Sequence, residues 1–275
     1  MSTKQTTGLN RNTIDKYYTS ENAVNLCLNL IKESITFDKE NDIIVEPSAG
    51  NGSFISGIKT ITDKYVFMDI EPDNIEIQKQ DYLTFEHTTL PEHNRVHLIG
   101  NPPFGRQSSL AIKFIKKSCE YCDTISFILP KSFKKESLKS KFPLNFHLIK
   151  ESELPSESFI VDGKAHDVPC IFQIWEKKST NRVVNEKLEP IGFKFVEKWE
   201  TPDISFRRVG VYAGKIDTNI ADKSMQSHYF IKLENKSDEI IEALKKIEYT
   251  SNNTVGPKSI SKQELIAKFN PILDV

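Results

Sequence analysis

Two hydrophobic rhythms alternate along the chain. From Ser20 to Lys32 apolar residues recur at helical spacing, with Val24, Leu28 and Ile31 on one face and Ser20 placed to cap the start. Asp42 to Glu46 is a short apolar run ending in a carboxylate and reads as a buried strand. A turn over Pro47 to Gly52 follows, and Phe54 to Ile61 is helical again. Tyr65 to Ile70 repeats the pattern of a buried strand, with acids at Asp69 and Glu71. The short segment Ile75 to Gln80 supplies another strand end, and Val96 to Ile99 a further strand. Helical spacing at Ser109 to Lys117 and Phe133 to Lys141 then alternates with apolar runs at Thr124 to Leu129, Phe146 to Ile149 and Val168 to Trp175. Such alternation from about residue 20 to 176 predicts an α/β fold, an open and mostly parallel sheet with helices on both faces. Ligands of such sheets bind beyond the carboxyl ends of the strands.

The pattern changes after Lys177. Residues 178–182 read as a connection, followed by strands at 204–213 and 228–233 and helices near 237–247 and 261–269. Ser261 and Glu264, ahead of Leu265 and Ile266, form a capping-box signature. The expected organisation is a first domain over 1–178 and a small α+β appendage over 179–275. Residues 1–12 are expected to be a loose arm.

Composition narrows the setting rather than the chemistry. The chain has 275 residues, 38% hydrophobic and 27% charged, with a formal net charge of -1. No global basic field announces a nucleic-acid partner, so local patches must carry that argument. No uninterrupted apolar stretch is long enough for a membrane span, and Met1 to Asn12 lacks the apolar core of a signal peptide. A cytoplasmic or nuclear rather than secreted protein is expected, and nothing indicates a protein partner. Of the four cysteines, Cys119 and Cys122 are spaced C-x-x-C, but the pair closes a helical pattern and has no second pair to complete a zinc site. Reduced thiols and no metal are the expectation.

The candidate chemistry sits at strand ends. Glu46-Pro47-Ser48-Ala49-Gly50-Asn51-Gly52 leads from a strand into a helix, and its glycines allow a tight turn and close approach to a ligand. The third glycine of a dinucleotide fingerprint and a Walker lysine are both missing. Asp69, at the next strand end, can accept hydrogen bonds from ribose hydroxyls. Asp81, beside Tyr82, can accept from the amino group of an adenine. Asn101-Pro102-Pro103-Phe104 follows a hydrophobic strand. Its consecutive prolines restrict the backbone, fixing the Asn101 side-chain oxygen and the Pro102 carbonyl as two acceptors that suit an NH₂ group. The Phe104 ring can stack on a flat base.

In these motifs the sequence resembles the class I amino-methyltransferases, above all the gamma-type N6-adenine enzymes of bacterial restriction systems. The family order is an aromatic-Thr element, E/D-P-x-x-G-x-G, an acidic strand end, then NPP followed by Tyr or Phe. Here it is matched by Lys16-Tyr17-Tyr18-Thr19, the loop from Glu46, Asp69-Ile70-Glu71-Pro72, Asp81-Tyr82 and Asn101 to Phe104, over about residues 16–176. The resemblance implies a Rossmann-like sheet and S-adenosyl-L-methionine as cofactor. It places Tyr18, Thr19, Glu46, Pro47, Ala49 and Gly50 around the methionine moiety, and Asp69, Ile70, Asp81 and Tyr82 around ribose and adenine. Asn101, Pro102, Pro103 and Phe104 would hold the target, with Phe159 as a second stacking aromatic.

The substrate is less defined. Arg106 to Lys150 carries ten basic residues against Glu120, Asp123 and Glu136. Phosphate contacts and a solvated lysine face both explain this, with Arg106, Lys131 and Ser132 the best-placed candidates. Arg207, Arg208 and Lys258 to Lys262 add basic positions in the appendage. N6 of adenine in DNA is narrowly preferred. Ribosomal or cap-adjacent RNA is the alternative, followed by protein glutamine N5-methylation and a non-catalytic binding module.

Overall fold

The apolar runs that end in acids form the centre of a seven-stranded sheet. The computed structural model describes residues 17–184, 186–249 and 258–274, so the arm expected at 1–12 lies outside the described residues. The chain divides into two compact units, 1–182 and 183–275.

In the first unit, β1 (Tyr18–Thr19) leads into α1 (Glu21–Ser34), followed by β2 (Ile43–Glu46), α2 (Ile55–Ile58), β3 (Lys64–Asp69), β4 (Gln78–Lys79) and β5 (Val96–Gly100). Then come α3 (Ser109–Cys119), β6 (Thr124–Pro130), α4 (Glu136–Lys139), β7 (Phe146–Glu153), the hairpin of β8 (Phe159–Val161) and β9 (Lys164–His166), and β10 (Cys170–Lys177). The large sheet has the order β4-β3-β2-β5-β6-β10-β7. Its first five strands are parallel, and β10 runs antiparallel to both β6 and β7.

Alternation along each strand explains why the sheet is apolar on both faces. Ile44, Phe67, Ile99 and Phe172 face one core with Val24, Leu28 and Ile31 of α1. Ile43, Val45, Leu98 and Phe127 face the other, with Ala111, Phe114 and Ile115 of α3. Removing one such buried side chain, as in Leu28→Ala, costs about 2–5 kcal/mol. The helical run expected over 133–141 shrinks to a 3₁₀ turn and the single turn of α4. Ser20 occupies the N-cap of α1, but its side chain makes no cap hydrogen bond. Its backbone N–H instead donates to the Ser158 carbonyl at 2.9 Å, tying β1 to the hairpin. Arg182 closes this unit: its guanidinium donates to the carbonyls of Lys139, Phe142, Pro143 and Phe146 and lies over Trp175.

The second unit holds β11 (Phe193–Val196), β12 (Ile204–Arg207), β13 (Ile216–Asp217), β14 (His228–Leu233), α5 (Asp238–Lys245) and α6 (Lys262–Leu273). Its antiparallel sheet has the order β11-β14-β12-β13, and one face packs on both helices. The capping box forms: Ser261 N–H donates to Glu264 at 2.7 Å, and Glu264 N–H to Ser261 Oγ at 3.2 Å. The strand expected over 204–213 stops at Arg207, because Gly210 and Gly214 take positive φ and bend the chain away. No described helix is long and apolar enough to cross a membrane.

Candidate active site

Strand order reverses between β2 and β5, since the chain leaves β2 outward through β3 and β4 and returns to β5 on its other side. The carboxyl ends of these two strands carry the loop from Glu46 and the segment from Asn101, so the crevice of an open α/β sheet falls between them. Within it, Tyr17, Tyr18, Thr19, Glu46, Ser48, Ala49, Gly50, Asn51, Ser53, Phe54 and Asn101 line a cavity of about 30 Å³.

The glycine loop is built to be approached. Gly50 takes φ +55, and a side chain there would sit 3.3 Å from the Tyr18 ring that covers it. Ala49 N–H donates to the Met68 carbonyl at 2.8 Å, and Gly50 N–H to Asp69 Oδ2 at 2.8 Å. Glu71 N–H donates to Asp69 Oδ1 at 2.8 Å, so each Asp69 oxygen already holds one backbone donor and can accept another. Ile70 beside it is 56% exposed, an apolar side chain left facing outward at a strand end. Tyr18 hydroxyl donates to Asp73 across the loop.

Glu46 is the unusual group. It is 2% exposed, and its Oε2 has no hydrogen-bond partner among the described residues. Burial first, and the nearby Asp69 charge second, push its carboxyl well above the ordinary carboxylate range. An uncompensated buried acid at the floor of a crevice fits a cationic group, which would supply both charge and donor. The ammonium of an amino-acid moiety has that chemistry. A side chain on Gly100, φ +151, would come 3.3 Å from Glu46 Cγ, so glycine there keeps the Glu46 side chain in place.

Asn101 is held at two points, one on its side chain and one on its backbone. Its Nδ2 donates to the Tyr17 carbonyl at 3.2 Å, its Oδ1 has no partner among the described residues, and its backbone carbonyl accepts from Ser48 Oγ at 3.0 Å. Pro102 is buried, Pro103 exposed, and Phe104 half-buried against both cores. The Phe104 carbonyl accepts from Leu110 and Ala111 N–H. Gln107 and Ser108, both non-glycine, take φ 53 and 61. Left-handed backbone there costs about 1–3 kcal/mol per residue, strain of the kind that gathers at functional sites.

The structure therefore brings together Tyr18, Thr19, Glu46, Ala49, Gly50 and Asn101, with Pro47 buried behind them. Asp69 adjoins through Gly50. Asp81 stands at the end of β4, exposed, with Oδ1 engaged by Leu83 N–H as a cap at 2.9 Å. Tyr82 is not brought to the crevice. It is 1% exposed in the core beside α3, with its hydroxyl bonded to Ser118 and Tyr121, because the ring follows the apolar face of its turn inward. Phe159 is likewise core, 1% exposed and edge-on to Tyr17, so it offers no open face to a base. Arg106 is exposed, whereas Lys131 meets Glu153 at 3.3 Å and Lys134 meets the same carboxylate at 2.5 Å. Ser132 is half-buried in that turn. Lys134 first and Lys131 second hold Glu153 below its ordinary value. Glu151 and Glu153 lie beyond the lysine-rich segment 106–150, and β7 brings them back onto it.

Tyr17 and Ser48, which hold Asn101, were not singled out by sequence. Only their places inside the two motifs could have marked them. The four cysteines are free, with burial raising Cys119 to about 12 and pushing Cys122 well above its ordinary value.

The family of the EDM2 methyltransferase-like domain matches residues 38–183, more than half of the chain. No curated protein matches the sequence. Among solved structures, a candidate RNA methyltransferase from Pyrococcus horikoshii is 16% identical with a TM-score of 0.45, covering 60% of this chain and 87% of its own. A Thermoplasma acidophilum protein is 18% identical with a TM-score of 0.43, over 59% and 89%. An rRNA methylase from Streptococcus thermophilus is 13% identical with a TM-score of 0.40, over 57% and 97%. These likenesses lie in the course of the chain and say nothing of its substrate.

Proposed function

The chain belongs to the EDM2 methyltransferase-like domain family, and from that premise we propose that it methylates an exocyclic amino group, N6 of adenine in a nucleic acid. It is a methyltransferase of the class I, S-adenosylmethionine-dependent fold. The observation that supports the finer reading is Asn101, its side-chain Nδ2 held by the Tyr17 carbonyl and its backbone carbonyl by Ser48, with no partner on Oδ1 among the described residues.

S-adenosylmethionine, when bound, supplies an electrophilic methyl group. Glu46 and the backbone around Ala49 and Gly50 would hold its amino-acid end, Asp69 its ribose, and the exposed Ile70 the face of its base. An aryl amine is a weak nucleophile because its lone pair is shared with the ring. Asn101 Oδ1 and the Pro102 carbonyl would each accept one N–H, turning that lone pair toward the methyl. Phe104 would steady the base. The nitrogen's surplus proton leaves to solvent after transfer. Positioning of this kind supplies on the order of 7–11 kcal/mol. A base in a duplex must first leave the stack, at a cost of a few kcal/mol.

The order of motifs favours DNA narrowly, and RNA is the second reading. The test is incubation with methyl-labelled cofactor and, separately, duplex DNA, single-stranded DNA, capped and uncapped RNA, and protein extract, followed by mass spectrometry. N6-methyladenine made by wild type is expected, and the best substrate decides between DNA and RNA. Methylglutamine, or label in no substrate despite cofactor binding, would overturn the reading.

A further inference from the structure

The four-stranded sheet of the second unit has two unlike faces. Alternation sends Ile204, Phe206, Ile216 and Ile231 to the side covered by α5 and α6. The opposite face presents Arg207, whose register partner is His228, and Asp217, whose partner is Ser205. There they line a cavity of about 170 Å³ with Lys215, Lys223 and Tyr212.

Three cations meet one carboxylate. Lys223 pairs with Asp217 at 2.6 Å. Arg207 commits only Nε, to the Val209 carbonyl at 3.0 Å, and its terminal nitrogens have no partner among the described residues. Lys215 is exposed and makes no ion pair among the described residues. The surplus is local and positive, whereas Lys131 and Lys134 are held by Glu153. Burial first, then the charges of Arg207 and Lys223, hold the His228 ring below its ordinary value, so the same field reaches the cavity wall. Tyr212, 70% exposed, stands at the rim beside Val211, 90% exposed. The cavity is smaller than the usual enclosed small-molecule site of about 300–1,000 Å³. It suits a group the size of a phosphate with the remainder of its ligand outside.

We propose that this cavity binds a backbone phosphate of a single-stranded nucleic acid, with a neighbouring base laid on Tyr212. Arg207 and Lys215 supply the charge-assisted donors, and the tyrosine ring a stacking surface open to any base. The inference rests on nucleic acid being the substrate class.

The experiment is fluorescence anisotropy on the full chain with a labelled single strand of about twelve nucleotides, as DNA and as RNA, over a range of salt. Lys215→Gln is expected to weaken binding about three- to tenfold and to lower the log–log salt slope by about 0.7, the value for one phosphate contact on a single strand. Tyr212→Ala is expected to weaken it about tenfold with the slope unchanged. Both positions are exposed, so folding, checked by thermal unfolding, is retained. Unchanged affinity and slope in both variants would overturn the inference, even where Asn101-dependent methylation of a nucleic acid is established. Inorganic phosphate or AMP binding that depends on Lys215, without strand binding that does, would overturn it in favour of a small phosphate ligand. Variant-sensitive strand binding with no methylation of any nucleic acid would sustain it while the reading of the chemistry falls.

Discussion

Strand β2 begins beside one buried carboxylate and ends in another, four residues apart. Asp42 is fully buried, and its Oδ2 accepts from Arg95 at 2.7 Å, His97 at 3.2 Å and the Asp38 N–H at 2.9 Å. His97 in turn is bonded to Thr124 at 2.8 Å. Glu46, as buried, has no ion pair and an unpartnered Oε2 among the described residues. Asp42 also leaves Oδ1 unpartnered among the described residues, yet its charge is answered: burial is the largest single influence, but donors from Asp38, Arg95 and His97 together outweigh it and hold the carboxyl low. Burial wins at Glu46 and pushes its carboxyl up. One end of the sheet is a finished polar network that fixes strands. The other is unfinished, and the missing partner is one a cationic ligand can provide.

The comparison is broken most sharply by separating chemistry from stability. Asn101→Ala is predicted to slow methyl transfer roughly a thousandfold, comparable to the loss of a key polar group at other active sites, with cofactor affinity within about twofold. Single-turnover kinetics and calorimetry check this, and an equal loss in both would make Asn101 merely structural. At the other end, Asp42→Ala leaves Arg95 and His97 without their acid, and should destabilise the fold by roughly 3 kcal/mol. Urea unfolding measures that, while transfer per folded molecule should persist.

Smaller effects follow from pH. Glu46 has a raised pKa in the fold, so its contribution to stability is full below the ordinary carboxylate range and is lost as pH rises through the folded value. Glu46→Gln should therefore raise the melting temperature of the ligand-free protein at about pH 8, while weakening the cofactor about tenfold or more. No stabilisation would mean that Glu46 finds its own counter-charge. His97 and Asp42 have the opposite sign. Burial holds His97 below its ordinary value and the network holds Asp42 below its own, so their stability is present at higher pH and lost as pH falls, first below about 6.5 and later below about 4. Each proton contributes a slope of at most about 1.4 kcal/mol per pH unit. His97→Gln should flatten unfolding stability between about pH 7 and 5.5.

Much of this was legible because it is local. The apolar runs of β2, β3 and β5 are bounded by their acids, and the glycine loop and Asn101 to Phe104 are contiguous. What depends on distant partners was not. β1 pairs with β8, with Thr19 opposite Phe159, and this is what sets Tyr17 and Tyr18 beside the loop. Asp162-Gly163, with φ 50 and 72, is a two-residue hairpin turn, so β8 and β9 had a signal that the longer apolar runs overshadowed. The Glu153 clamp on Lys131 and Lys134 depends on β7 pairing with β10 at the edge of the sheet. Tyr82 and Phe159 were read from motif position, and the burial of both rings depends on contacts distant in sequence.

The most direct test of the contrast is calorimetric titration with S-adenosylhomocysteine at about pH 6, in two buffers of different ionisation enthalpy, for wild type and Glu46→Gln. An ammonium beside Glu46 favours its ionised form, against the burial that pushes its carboxyl up in the empty crevice, so binding should lower its proton affinity. Net proton release by wild type, absent from the variant, is the predicted result. Binding with identical proton release in both, or no binding at all, would contradict the assignment of this end of the sheet.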